Sequence, residues 1–237
     1  MTGSATQTRT MHRDQRMAVV VAVLTFGTGV LDVLVLARLG GVFASVMTGN
    51  LALMGLGLAR TDVATIVHTV VAVVSYVAGV AVGSVTTGPR EPDHPVWPRR
   101  VTATLAVQLA LQCALAVGWA FTGGAAVGEV RMALLATAAA SMGLQGAAVR
   151  GLGVTLATTY LTGTLTGLIA NRTLSKPSQA DAAGVAALVA AVAGAACGGL
   201  TLATVPLVAP VWCLVSVVTV IVIAEWRHRH AAHHVSQ

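Results

Sequence analysis

The chain has 237 residues, of which 56% are hydrophobic and only 9% charged, and its mean hydropathy is +0.82. A soluble domain of this length cannot hide so much apolar surface, so the composition excludes an ordinary water-soluble protein and makes the bilayer the expected solvent. The net charge of +6 does not indicate nucleic acid: the basic residues flank apolar runs instead of forming a patch interleaved with aromatic rings, and they read as topology signals.

Residues 1–16 form a polar, basic tail, and an apolar run from Met17 to Ala37 follows. About 20 residues at 1.5 Å each cross the hydrocarbon, so this run is long enough to span. A secretory leader shares the basic start and apolar core and is the less favoured reading. Asp32 lies in this run and is the only acidic residue well inside an apolar segment, the other acids sitting at or beyond segment edges. An intramembrane carboxyl costs a few kcal/mol on insertion scales, so it normally faces a bundle interior, a cavity or a partner. It is either a proton or cation site, or a structural carboxyl bonded to a neighbouring helix end, with Arg38 in reach.

Seven further apolar segments follow, at 43–59, 63–86, 101–122, 132–149, 154–170, 182–204 and 207–224. The segments at 43–59 and 154–170 are only about 17 residues long, marginal for a span. Both are interrupted near their middles by polar groups and glycine, in Thr48-Gly49-Asn50 and Thr162-Gly163-Thr164. They are expected to be broken or re-entrant helices. Val77 to Thr86 recurs as Val192 to Thr201 with six of ten positions identical, and a Thr-Gly motif precedes each copy. The chain therefore reads as two repeats, 17–122 and 123–225, ahead of a His-rich tail at 226–237.

The positive-inside rule separates two span counts. With six spans and two re-entrant segments, eleven of the fourteen Lys and Arg residues fall inside, leaving Arg38, Arg60 and Arg131 outside; with eight spans, nine fall inside. The expected fold is an all-α membrane bundle of six full spans plus two short Thr-Gly segments. Eight spans in parallel repeats is the alternative. Both counts place the two termini in the cytoplasm. Three spans per repeat would invert the second copy, so the two Thr-Gly segments would enter from opposite faces and meet near the midplane at one shared site.

Asp32, Ser45, Thr48, Gly49, Asn50, Tyr160, Thr162, Gly163 and Thr164 are the candidate ligand-binding set: they offer carboxyl, hydroxyl and amide groups beside glycines that free backbone polar groups. The plainer alternative is that the hydroxyls bond back to their own helices and the glycines allow close contact. Gly79 with Gly83 and Gly194 with Gly198 read as packing faces, which a second copy of the chain could also use. Gln108, Gln112 and Gln145 read as interhelical hydrogen-bonding amides, and His68 as an interfacial, hydrogen-bonded side chain. Cys113, Cys197 and Cys213 lie singly in apolar segments, and His228, His230, His233 and His234 read as a basic tail, so neither a metal site nor a cofactor is expected. The extramembrane loops are too short for a soluble catalytic domain, so an enzyme is not expected. Two functions stand: a permease or channel for a small solute or ion, and a non-transporting scaffold or partner subunit.

Gly29-Val30-Leu31-Asp32, then Gly41-Val42-Phe43 and Met47-Thr48-Gly49-Asn50, resemble the signature of the YoaK-like family. Gly143-Leu144-Gln145-Gly146 with Arg150, and Thr159-Tyr160-Leu161-Thr162-Gly163-Thr164, resemble its second conserved stretch. The resemblance runs from about Ala18 to Glu225. It implies a multi-span protein of the bacterial inner membrane, containing a domain of unknown function and with no established activity. The second motif departs from the first in carrying Thr164 where the first has Asn50.

Overall fold

A computed structural model describes residues 2–89, 97–152, 161–174 and 179–235, with side chains from Met17 to Trp226 apart from Arg172 and 179–180. The described residues form eight α-helices and one 3-10 turn, with no strand among them. Their order is α1 Thr2–Arg38, α2 Met47–Arg60, α3 Val63–Thr87, α4 Arg99–Phe121, α5 Gly128–Gly151, α6 Leu161–Thr173, α7 Gln179–Thr204, the turn Pro206–Val208, and α8 Ala209–Val235. Helix is the only open-ended way to satisfy a backbone in hydrocarbon, which is why apolar runs of this length fold so.

Six helical stretches are long and apolar enough to cross: Met17–Arg38, Val63–Thr87, Arg99–Phe121, Gly128–Gly151, Asp181–Thr204 and Pro206–Trp226. The shortest of these, 21 residues, measures about 32 Å at 1.5 Å per residue, against a hydrocarbon core of about 30 Å. The 14 residues of α2 and the 13 of α6 reach only about 21 Å and 20 Å. Neither can span. The first Thr-Gly motif is not a break in mid-segment as expected from sequence: Gly49 is the third residue of the intact short helix α2, while Gly163 is helical within the described residues of α6. Before α2 the interruption lies at 39–46, where the chain turns; the residues just ahead of Leu161 lie outside the described residues.

The ends of the helices carry their own reasons. Asp62 caps α3, accepting from Ala64 N at 3.1 Å and Thr65 N at 3.2 Å, while the Thr65 hydroxyl donates to its other oxygen at 2.6 Å. Thr61, with φ of 54°, closes α2 in a left-handed turn, and Asp62 N reaches back to Gly57 O at 2.9 Å. Two residues therefore suffice to reverse α2 onto α3. At the same end of the bundle Trp119 Nε1 donates to Pro206 O at 2.8 Å, tying the α4–α5 corner to the α7–α8 corner.

Two helix pairs form the frame, α1 along α7 and α3 along α5. Both are backbone-to-backbone crossings set by glycine. A Cβ on Gly29 would collide with Ala191 O and one on Gly194 with Phe26 O, while one on Gly79 would collide with Ala140 O and one on Gly143 with Tyr76 O. Gly83 and Gly198 are similarly occupied, by Ala147 and Leu144 and by Val30. The glycine faces that sequence offered to a second copy of the chain are thus used up by its own helices. Outward faces carry Val74, Val77, Val85, Val189, Val192 and Leu200, each more than half exposed, as a bilayer-facing surface requires.

The interior has two apolar clusters with a polar layer between them. One holds Val30, Leu31, Leu34, Leu115, Trp119, Leu135 and Met142, and the other Leu24, Val101, Leu105, Ala148, Val149, Val217 and Val220. Thr28, Gln108, Gln112, Gln145 and Ser216 fall between these sets on α1, α4, α5 and α8, and all are buried.

Two predictions follow from this packing. Gly79→Ala and Gly194→Ala each drive a methyl into a backbone carbonyl that cannot swing aside, and each should destabilise the purified protein by about 1–3 kcal/mol. Gly163→Ala, with nothing within 4 Å among the described residues, should unfold at the wild-type temperature in the same detergent. The α3 cap should be visible in pH: the Thr65 hydroxyl, then the Thr65 and Ala64 N–H groups and nearby His68, hold the Asp62 carboxyl below the ordinary carboxylate range. A depressed folded pKa contributes stability above the unfolded value, lost as pH falls through the folded one. Asp62→Ala should therefore lower the unfolding temperature at neutral pH, with a difference that closes in acid.

Candidate functional site

Asp32 is placed on α1, six residues before the end of that helix at Arg38. Its Oδ1 accepts from Ser45 N at 2.8 Å and its Oδ2 from the Ser45 hydroxyl at 2.5 Å. Six residues of helix are about 9 Å, so these bonds draw the connecting loop back from the end of α1 to a depth of about 9 Å. From there α2 starts at Met47 and runs outward to the cap of α3. This makes α2 re-entrant: loop in, helix out, on one side. The first N–H groups of α2 lack a side-chain cap, and the Asp32 carboxyl lies beside that end, where negative charge is favoured by the helix dipole. Arg38 is not its partner; the guanidinium reaches Leu202 O on α7 at 3.4 Å.

Asn50 is fully buried and works on the same loop. Its Nδ2 donates to Phe43 O at 2.8 Å and its Oδ1 accepts from Phe43 N at 2.8 Å, with Met47 Sδ 3.9 Å from Nδ2. One side-chain amide thereby replaces the pairing that Phe43 would otherwise find in a strand, inside a region where an unpaired backbone group is costly. His68 of α3 closes the loop from the other side. Its Nδ1 lies 2.7 Å from Ala64 O and its ring packs against Gly40, whose φ of 127° no larger residue adopts readily.

Of the residues singled out in sequence, Asp32, Ser45 and Asn50 thus converge on one loop. Gly49 abuts the Phe43 ring and the Val46 side chain, and Thr48 is exposed beside them. The second motif is elsewhere: Thr162 and Gly163 are exposed on α6, Thr164 packs where a Cβ on Gly184 of α7 would stand, and Tyr160 lies outside the described residues, as does Thr159. α2 packs on α3 and α6 on α7, and the two short helices form no interface with each other. A meeting of the two Thr-Gly segments is therefore not part of the described structure.

The polar layer provides the interhelical contact instead. Thr28 donates to Leu24 O at 3.0 Å on its own helix and accepts from Gln145 Nε2 of α5 at 2.8 Å, while Gln145 Oε1 accepts from Gln108 Nε2 of α4 at 2.7 Å. This line joins three spans at mid-depth. Sequence flagged the glutamines as interhelical bonds but missed Thr28 and Ser216. The available signal was position: each polar residue falls near the middle of its apolar run. Asp32 lies one turn beyond Thr28 on α1, so the line and the Asp32 loop share a helix face.

If Asn50 serves the backbone of Phe43, Asn50→Leu should strand both groups of that peptide and cost about 1–3 kcal/mol for each unpaired group. Thr48→Val should leave the unfolding temperature unchanged. Asn50→Leu protein that keeps wild-type stability would instead make the amide a group held ready for a ligand.

The family model described as "Protein of unknown function (DUF1275)" matches residues 20–224. The chain is 31% identical over 153 residues to "UPF0700 transmembrane protein YoaK" of Bacillus subtilis (strain 168), the match covering 63% of this chain and 64% of that protein. The match thus spans just under two thirds of the relative's length. No solved structure matches. The residues matched run from near the start of the first span to near the end of the last, taking in the Asp32 loop and the polar layer, and the chain belongs to the DUF1275 family.

Proposed function

We propose that the protein is a permease or channel of the bacterial inner membrane, taking a small solute past Asp32 and through the polar layer, with both termini in the cytoplasm. The observation that carries this reading is the buried line Gln108–Gln145–Thr28 at mid-depth, continued one turn along α1 by a carboxyl that is itself only partly buried. A scaffold has no need of such a line between two apolar clusters, since apolar side chains of the same volume would pack there without hydrogen-bond constraints.

The arrangement also supports an inverted internal duplication. Gly29 and Gly143, Gly79 and Gly194, and Gly83 and Gly198 are each 114 or 115 positions apart and act alike in the two crossings. Three spans per copy would turn α6 into the cytoplasmic counterpart of α2, its Thr162-Gly163-Thr164 facing the inner side as Thr48-Gly49-Asn50 faces the outer. Asp32 then acts as a gate latch. As a carboxylate it accepts both Ser45 bonds with full charge and holds the α2 loop in; on protonation one oxygen becomes a donor to the Ser45 hydroxyl and both bonds lose their charge assistance, so the hold on the loop weakens and a solute reaches the layer behind it.

Asp32→Asn tests this. It keeps shape and most hydrogen bonding but removes the titration. Proteoliposomes containing a pH dye and challenged with a panel of small solutes should show solute-triggered pH changes with wild type and none with Asp32→Asn, both proteins eluting as the same species from detergent. A solute response in Asp32→Asn with wild-type pH dependence would reduce Asp32 to a loop anchor. No response from wild type to any solute would favour the scaffold reading.

A further inference from the structure

The polar layer ends in two bare acceptors. Leu24 O can only accept, so the Thr28 hydroxyl must spend its proton there, which leaves Thr28 Oγ1 to accept from Gln145 Nε2. Gln145 Oε1 is thereby turned to Gln108 and takes the amide of that residue. Every orientation in the line is fixed by one backbone carbonyl, and the line terminates at Gln108 Oε1, buried and without a hydrogen-bond partner among the described residues. Gln112 lies one turn along the same face of α4, about 6 Å on, and its Oε1 is also buried without a partner. Gln108 is 0% and Gln112 2% exposed.

The hydroxyls of the same layer cannot serve them. Thr25 donates to Val21 O at 2.7 Å, Ser141 to Ala138 O at 2.8 Å and Ser216 to Trp212 O at 2.8 Å, so each proton is already committed to its own helix. Leaving an amide carbonyl unpaired in a dry interior costs about 1–3 kcal/mol, and two together on one helix face are a donor-binding pair. Two neutral oxygens are too few to replace the hydration shell of a metal cation, and the nearest acid on the shared face, Asp32, has each oxygen engaged by Ser45.

We propose that Gln108 Oε1 and Gln112 Oε1 form a binding site for a small uncharged molecule that presents two or more N–H or O–H donors, such as a primary amide or a polyol. This deepens the permease reading by naming its solute class and rests on it for the route of entry. Its test reads binding alone, so that failure here is distinct from failure of transport through Asp32.

Thermal unfolding of the full chain in detergent is measured against acetamide and glycerol as donor probes, N,N-dimethylacetamide as a probe without donors, and sodium and potassium chloride. Wild type should gain several degrees, saturably, with acetamide or glycerol and nothing saturable with dimethylacetamide or either salt. Gln112→Met, which removes one acceptor while filling its space, should lose that gain. The wild-type comparison of acetamide with dimethylacetamide stands even where the variant fails to fold. The site is overturned if neither donor probe gives a saturable gain, if Gln112→Met keeps it, or if a salt gives a saturable gain that the variant loses, which would mark a cation site.

Discussion

Everything in this bundle depends on the contact of bare backbone with bare backbone at the two glycine crossings. In hydrocarbon there is no hydrophobic drive to press helices together, since lipid tails are as apolar as valine, so van der Waals fit has to do it. Gly29 with Gly194, and Gly79 with Gly143, allow α1 and α7, and α3 and α5, to approach until one helix meets the carbonyls of the other. Those pairs are rigid because neither side has a side chain to move. The remaining spans, α4 and α8, pack on α5, on α1 and on each other, and the four helices that meet there are the ones that carry the polar layer.

That layer shows how a membrane protein keeps polar groups indoors. Each serine and threonine hydroxyl of the layer bonds to a carbonyl of its own helix, a local solution that costs no tertiary structure. The glutamines are longer and cross between helices. Because an amide has a donor end and an acceptor end, a chain of them has a direction, and Leu24 O sets it. A chain with a direction must finish somewhere, and here it finishes on α4.

Much of the architecture was legible in sequence because hydrocarbon thickness is a strict ruler. The segments of about 17 residues with internal polar groups are the ones absent from the six helices long and apolar enough to cross among the described residues, and the arginine distribution favoured that count before any helix was measured. The candidate site was legible only in its residue types. Asp32, Ser45 and Asn50 were singled out as groups to line a solute path, yet the partners they take include the backbone atoms Ser45 N, Phe43 N and Phe43 O, which no sequence pattern displays. The expected meeting of the two Thr-Gly motifs is not part of the described structure: α2 leans on α3 and the described residues of α6 on α7.

The two halves also differ where their frames agree. Counting 114 residues from Gly29 leads to Gly143, and the same step from Leu31 and Asp32 leads to Gln145 and Gly146. The first half thus carries a carboxyl where the second has no side chain, and leucine where the second has the glutamine that bridges α4 and α1. A carboxyl at 146 as well as at 32 would set two like charges in one low-dielectric bundle, whereas a single carboxyl near one face and a neutral amide at the neighbouring position 145 keep the mid-depth connector uncharged. Packing demands symmetry from the glycines and gains nothing from symmetry in the polar groups. On the duplication and the permease reading proposed above, the polar positions were free to diverge, and a path with chemically different stations at different depths is the outcome such divergence makes available.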